Sequence, residues 1–415
     1  MFEGCEKRMK VRRITKCTSG LVLVTVLWVV ILLGVIVAAI GQSSRLDTRV
    51  SFANMQGMKL RWICRAGTNT AVAVLSEDTR QSDGLQDLWA DNEDDFNNVE
   101  LDGFRFNVLV VDEASKLNIN TATKEQLLGL YEMTEEIADC IIDWRDGDDT
   151  PGQSGVEGGY YESLRYGYDI RNGRFKTIRE LLLVKGVNSE LLYGQETKWI
   201  DYLTCYSTDN NNDASAAKRL NINTADENKM VESLEIKNSH AKWIVENRPQ
   251  GNGYASIADL ITNSSPQNPT DDSGDVVQLD LETFYKIADK ITVTDDERIE
   301  GRVNINTASK VVLAVLLGGG KEAELLADNI ITYRKSLTGG MESITGIMKV
   351  SQMKIDTFKE IAQYITTRSD IYSVYSTAES QTDGRGGIAK LQTEVVTDRE
   401  QDPAVILYWY QGVTN

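Results

Sequence analysis

Residues 116–122 read KLNINTA, and the phrase returns as RLNINTA at 219–225 and as RVNINTA at 302–308. The copies open on Asn118, Asn221 and Asn304 at unequal spacing, so they are not a short tandem array. Each is followed by a second shared phrase: Ala138-Asp-Cys-Ile-Ile-Asp-Trp-Arg145, Ala241-Lys-Trp-Ile-Val-Glu-Asn-Arg248 and Ala327-Asp-Asn-Ile-Ile-Thr-Tyr-Arg334. A third follows that: Phe175-Lys-Thr-Ile-Arg-Glu-Leu181, Tyr254-Ala-Ser-Ile-Ala-Asp-Leu260 and, shortened, Met341-Glu-Ser-Ile344. Such self-similarity marks one supersecondary unit used three times. The Ala-x-x-Ile-Ile stretches space their apolar residues as a helix does. In the first, Cys140 shares a stripe with Ile137, Ile141 and Trp144, which predicts a buried thiol. Thr121, Thr224 and Thr307 read as helix N-caps, and Thr224-x-x-Glu227 as a capping box. The middle of the chain is expected to be a run of helix–turn–helix units.

This pattern resembles the tandem helix-hairpin-helix of DNA-uptake and repair proteins. In the DNA-binding members the hairpin reads roughly P-G-I-G, and its glycines let backbone N–H groups approach a phosphate. Here Tyr131-Glu132-Met133-Thr134 and Leu234-Glu235-Ile236-Lys237 stand at that place, and Lys321-Glu322-Ala323-Glu324 follows Gly318–Gly320. Val184-Lys185-Gly186-Val187 keeps one glycine, with Asn188 where its partner would be. The formal net charge of −18 also opposes a phosphate backbone. The fold signal survives while the phosphate chemistry is lost. No nucleic acid partner is expected, and a membrane-anchored DNA-uptake receptor is the alternative reading.

Outward from the repeats, Phe104–Asp112 reads as a strand, and so do 371–375, 388–396 (entered through 383–387) and 404–410. With 415 residues, 41 % of them apolar, two to three domains and an ample core are expected. The chain carries one histidine, His240, in a stretch read as a partly exposed helix. A His-based triad, a His-rich zinc site and a His general base therefore lack their residues. Neither a G-x-S-x-G nor a phosphate-loop spacing occurs. No CxxC pair occurs among the five cysteines, and an oxidising compartment leaves a Cys140–Cys205 disulfide open.

At the N-terminus, residues 1–20 carry six Lys/Arg against two Glu, a charge of +4 (6 − 2). Leu21–Ser44 then contains no charge, with the core LVLVTVLWVVILLGVIVAAI. A helix of this length spans roughly 36 Å, enough to cross a bilayer, and the basic leader places the N-terminus on the cytoplasmic side. The absence of proline and the scattered apolar residues to Leu75 extend the helix beyond the membrane.

The basic leader, Gly20 and a long apolar helix resemble a type IV prepilin. That resemblance implies peptidase cleavage between Gly20 and Leu21, and it places Thr25 at the fifth mature position, where most pilins have glutamate. With Val111-Asp-Glu-Ala-Ser-Lys-Leu-Asn-Ile-Asn-Thr-Ala122, Asp143-Trp-Arg-Asp146-Gly-Asp148, Gly155-Val-Glu157, Tyr160-Tyr161, Tyr166, Arg171-Asn172, Ile178–Gly186 and Val405–Trp409, the chain is similar to the minor pseudopilin K family of type II secretion systems. The resemblance implies an α+β fold. A long N-terminal transmembrane and spine helix would pack on a small antiparallel pilin-like sheet that carries a large helical insertion. The expected divisions are a leader (1–20), the helix with the first part of the pilin-like domain (21–113), the insertion (114–366) and the closing strands (367–415). Within the insertion, 262–280 reads as a polar loop.

The family resemblance further implies a non-catalytic subunit at or near the tip of a pseudopilus, which helps initiate a filament for export of folded proteins. Its expected partners are the other minor pseudopilins, the inner-membrane assembly, prepilin peptidase and the inner membrane itself, with the C-terminal domain periplasmic. Some family members bind calcium, and the clustered carboxylates Asp146, Asp148 and Glu157 suit a hard cation. The spacing is not that of an EF-hand. A solvated acidic loop that stops a helix is the other reading of the same residues.

Overall fold

The computed structural model describes residues 19–79, 81–195, 197–261, 279–380, 390–401 and 403–412. Residues 1–18 of the leader, 262–278 of the polar loop and the glycine-rich 383–387 lie outside them. The chain divides into two compact units, Met1–Arg61 and Trp62–Asn415.

Helix α1 runs unbroken from Ser19 to Glu77. Its first half is apolar all round, with a mean hydropathy of 3.2 over its best window and none of that window buried. A helix apolar on every face, with no part of its most apolar window buried among the described residues, suits lipid. From Trp62 onward its character changes. Ile63, Gly67, Ala71 and Leu75 recur at every fourth position, and all of them are buried. This stripe lies across a β-sheet. Gly67 marks the closest approach, since a Cβ there would stand 2.5 Å from Ser376 Oγ and 3.0 Å from the Phe106 ring.

The sheet has five antiparallel strands in chain order: β1 (Val99–Leu101), β2 (Phe104–Asp112), β3 (Ile371–Ser380), β4 (Lys390–Asp398) and β5 (Val405–Gly412). Strands β3, β4 and β5 run past the C-terminal ends read from the sequence, and residues 388–389 at the start of the fourth lie outside the described residues. Phe104, Phe106, Val108 and Val110 of β2 alternate inward, and Leu109 points to solvent. Strands β2 and β3 are neighbours, with Val110 opposite Val374. Yet the whole stretch from Glu113 to Asp370 lies between them in the chain, so the insertion leaves and re-enters at one end of the sheet.

Three units fill that insertion. Each opens with a very short strand and closes when a later one pairs with it in parallel. The pairs are Leu117–Asn118 with Leu203–Thr204, Leu220–Asn221 with Ile291–Thr292, and Val303–Asn304 with Ile365–Thr366. Between lie α2 (Lys124–Leu128) and α3 (Glu135–Arg145), α4 (Glu227–Leu234) and α5 (Asn238–Glu246), and α6 (Lys310–Leu316) and α7 (Gly320–Lys335). The third phrase forms a 3₁₀ turn in each unit.

The repeated polar residues make the same bonds three times. Arg145 donates to the carbonyls of Ile119 and Ala122, Arg248 to those of Ile222 and Ala225, and Arg334 to those of Ile305 and Ala308. The second Asn of each phrase clips the third phrase through both ends of its carboxamide: Asn120 to Phe175, Asn223 to Tyr254 and Asn306 to Met341. These bonds satisfy buried backbone groups that no helix or sheet ladder reaches. The cation that opens each phrase is paired as well. Lys116 meets Glu113 at 3.1 Å, while Arg219 and Arg302 both meet Asp209, at 2.9 and 3.2 Å. Burial alone would raise the Asp209 carboxyl, but the two guanidiniums outweigh it and hold it well below the usual range.

Three expectations are corrected. The N-caps are Thr123, Asp226 and Ser309, each just beyond the threonine read from the sequence, and the box at Thr224–Glu227 does not form. The asparagine phrase is itself a turn: Thr121 and Ala122 donate their N–H groups to Asn118 O, so the helix starts only after it. His240 is buried, because it shares the inner face of α5 with Ile244 one helical turn later. Cys140 and Cys205 are free thiols. Burial pushes both up, Cys140 to about 11.

Candidate cation site and hairpins of the inserted units

Helix α3 ends at Arg145, and Asp146 caps it by donating its N–H to Ile142 O. The chain then loops to Glu157 and the short helix Gly158–Glu162. This path gathers the three carboxylates picked out in the sequence: one oxygen each from Asp146, Asp148 and Glu157 lie within 4.8 Å of one another. Asp143, one turn earlier on α3, is only 2 % exposed and accepts a hydrogen bond from Gly152 N through Oδ1 at 2.9 Å. Its Oδ2 has no hydrogen-bond partner, nor do Asp146 Oδ1, both Glu157 carboxylate oxygens and Asn172 Oδ1, all of them buried. The loop can fold onto Asp143 because residue 155 is glycine; a Cβ there would come within 1.8 Å of Asp143 Oδ2.

Five buried oxygens without donors are costly in a folded protein. Burial raises Asp143 and Asp146 above the ordinary carboxylate range. It lifts Glu157 to about 7, helped by Asp143, Asp146, Asp149 and Asp148. The nearest cations of the unit are committed elsewhere, Arg145 to two carbonyls and Lys124 to Glu135 and Asp139. A donor set made only of oxygens, partly buried and rich in charge, fits calcium. The residues that would hold it are Asp146, Asp148 and Glu157, with Asp143 and Asn172 added by the structure. Asp143 was visible in the Asp-x-x-Asp-x-Asp run but read as helix. Asn172 stands well beyond Glu157 in the chain and had no spacing to reveal it.

Behind the loop, Trp144 packs edge-on to Tyr161 at 5.1 Å and stacks on Phe175 at 6.3 Å. Gly20, Leu21 and Thr25 belong to the other unit, on α1. Thr25 Oγ donates to Val22 O at 2.9 Å, so its hydroxyl is satisfied within its own helix.

The hairpins differ in the residues at their left-handed positions. Glu132 and Glu235 adopt the left-handed backbone, φ 57° and 54°, where glycine would be unstrained. Each costs about 1 kcal/mol relative to glycine. Gly318, Gly319 and Gly320 of the third hairpin are also left-handed.

Comparison with known proteins agrees with this architecture. The model of the family "Type II secretion system (T2SS), protein K" matches residues 104–194, the first unit with its entering strand, and a helix-hairpin-helix motif matches residues 299–366, the third unit. The type II secretion system protein K of Pseudomonas aeruginosa is 29 % identical over 269 residues, covering 58 % of this chain and 75 % of that protein. These matches liken the chain to the type II secretion system protein K family. The protein K of Pectobacterium carotovorum is 30 % identical over 157 residues, covering 36 % of this chain and 44 % of its own length. A chain in the crystal structure of the GspK-GspI-GspJ complex from enterotoxigenic Escherichia coli shares the fold. Its TM-score is 0.51 at 13 % identity, over 88 % of this chain and 99 % of that one. The apolar first half of α1 is a candidate membrane anchor.

Proposed function

We propose that the chain is a non-catalytic subunit placed at or near the tip of a short periplasmic pseudopilus, where it helps initiate the filament that exports folded proteins. The observation that carries this reading is the pairing of the charge-free apolar stretch Leu21–Ser44 of α1 with a head enlarged by everything from Glu113 to Asp370, inserted between adjacent strands. In a bundle of apolar helices, a protonated N-terminal amine needs a negative partner, since an unpaired charge in lipid-like surroundings is costly. Thr25 offers none to a subunit above it, and the bulky head is easiest to place where nothing stacks above.

In this reading prepilin peptidase cuts between Gly20 and Leu21, and the helix holds the protein in the inner membrane with the basic N-terminus cytoplasmic and the head periplasmic. The partners are the other minor pseudopilins and the inner-membrane assembly. Asp146, Asp148 and Glu157, with Asp143 beside them, would hold a calcium ion. It would supply a fixed positive charge that holds the loop closed against α3 and performs no chemistry.

The test is co-purification from membranes of the tagged full chain with the other minor pseudopilins. A stoichiometric complex that lacks the major pseudopilin supports the reading. Recovery of the chain alone, or in bulk with the major subunit, contradicts it.

A further inference from the structure

Resting on the calcium reading of the 143–157 loop and deepening it, we propose that Asn172 completes that site and carries its occupancy to the edge of the sheet through Arg174 and Arg179. The carboxamide of Asn172 already touches the loop: Nδ2 donates to Asp148 O at 3.3 Å and to Asp149 Oδ1 at 2.9 Å. Its Oδ1 is buried and accepts from nothing. An amide oxygen so placed, beside unpartnered carboxylate oxygens, is a natural ligand for a hard cation.

Asn172 opens a strap, residues 171–180, that leaves the loop and crosses to the rest of the head. The strap is held stiff. Gly173 N donates to Trp144 O, Phe175 is clipped by Asn120 at both backbone groups, and Arg171 bonds Glu180 at 2.6 Å. Its two other arginines point outward. Arg174 pairs with Glu300 at the start of the third unit. Arg179 donates to Glu394 of β4 at 2.8 Å and lies 4.6 Å from the ring of Tyr410 on β5. One short segment therefore connects the acidic loop, the third unit and the outermost strand.

Without a cation, the like charges of the loop repel and Asn172 is tied to it by two hydrogen bonds alone. With a divalent cation bound, the carboxylates draw in, and an oxygen ligand from Asn172 fixes the strap at its first turn. Occupancy of the site then steadies contacts at β4 and β5 that touch no ligand.

The test uses the full chain in detergent micelles, with calcium, magnesium or a chelator, and reads calcium titration calorimetry and hydrogen exchange by mass spectrometry. Calcium is expected to slow exchange at 143–157 and also at 171–182 and 405–412. Asn172→Gly keeps a residue at ease at φ 42° but removes the carboxamide. It should weaken calcium at least about tenfold, since loss of even an outer-shell partner costs that much and Asn172 is a ligand itself. It should also abolish the slowing at 171–182 and 405–412 while leaving it at 143–157 at saturating calcium. Asn172→Asp, which restores an oxygen, should restore the affinity. If calcium protects 143–157 but not the strap, or if Asn172→Gly binds calcium as the wild type does, this inference fails and the calcium reading stands. If calcium changes nothing at 143–157 in the wild type, the calcium reading fails and takes the inference with it.

Discussion

Replacing Arg334 by methionine keeps most of the side-chain volume and removes the two donors that hold the third asparagine phrase. Arg334 is 7 % exposed and bonds Ile305 O and Ala308 O, each at 2.8 Å. Both of those residues are fully buried, so their carbonyls would find no water. A hydrogen bond to a charged donor contributes about 1.5–3 kcal/mol. Against this, burial pulls the guanidinium down to about 10 with no carboxylate to offset it. Removing that desolvated charge returns part of the loss. The net cost is about 2–4 kcal/mol, which corresponds to roughly 30- to 1,000-fold easier opening. The chain has several structural units, so one global melting point would blur the effect. Native-state hydrogen exchange of α6 and α7 reads it locally. Arg145→Met and Arg248→Met should loosen the first and second units by similar factors. Less than threefold faster exchange in all three variants, or loosening that does not stay within the altered unit, would refute the claim that these arginines hold each unit shut.

In chelator, stability should fall as pH rises from about 4 to 7. Glu157 and Asp370 are raised to about 7 and Asp83 to about 6, all by burial first, so their stabilising contribution is complete below the unfolded carboxyl range and is lost through those values. Calcium should reverse the trend by competing with the Glu157 proton, and Glu157→Gln should remove the calcium effect in thermal unfolding while leaving the slope due to the other two. Mature protein isolated from membranes should begin at Leu21 by N-terminal mass spectrometry; a chain retaining Met1, or starting beyond Ser44, would remove the prepilin reading. Purified protein should not shift duplex DNA at physiological salt, because Glu132 and Glu235 stand where the DNA-binding hairpins that these resemble carry glycine. Micromolar binding that weakens steeply with salt would favour the uptake-receptor alternative.

Much of the fold was legible because the repeat copies its polar residues together with its apolar ones. The phrase Asn-Ile-Asn-Thr-Ala and the distant Arg are bonded partners in every unit, and the recurrence of both showed three units before any contact was known. What escaped were the closing strands. Their signal was present, since Thr283-Phe-Tyr-Lys-Ile-Ala-Asp-Lys-Ile-Thr292 and Thr357-Phe-Lys-Glu-Ile-Ala-Gln-Tyr-Ile-Thr366 are near copies. Parallel pairing this short, though, has no periodicity to detect. The caps were misplaced because an asparagine turn and a helix start draw on the same small polar residues. The burial of His240 follows from its spacing to Ile244, and could have been read. At the cation site the local carboxylates were visible as a cluster on one loop. Asn172 is brought there by the path of the chain around Trp144, Tyr161 and Phe175, a tertiary effect with no local pattern.

The central claim, that this chain caps a filament and is not one of its repeating parts, is tested most directly by subunit stoichiometry in isolated over-assembled pseudopili. Quantitative mass spectrometry, with labelling against the head seen by electron microscopy, gives both the number of copies and their position. The expected result is very few copies per filament, confined to one end, and Thr25→Glu should be tolerated or admit limited incorporation along the shaft. Near-equal amounts of this chain and the major pseudopilin, labelled evenly along the shaft, would contradict the account.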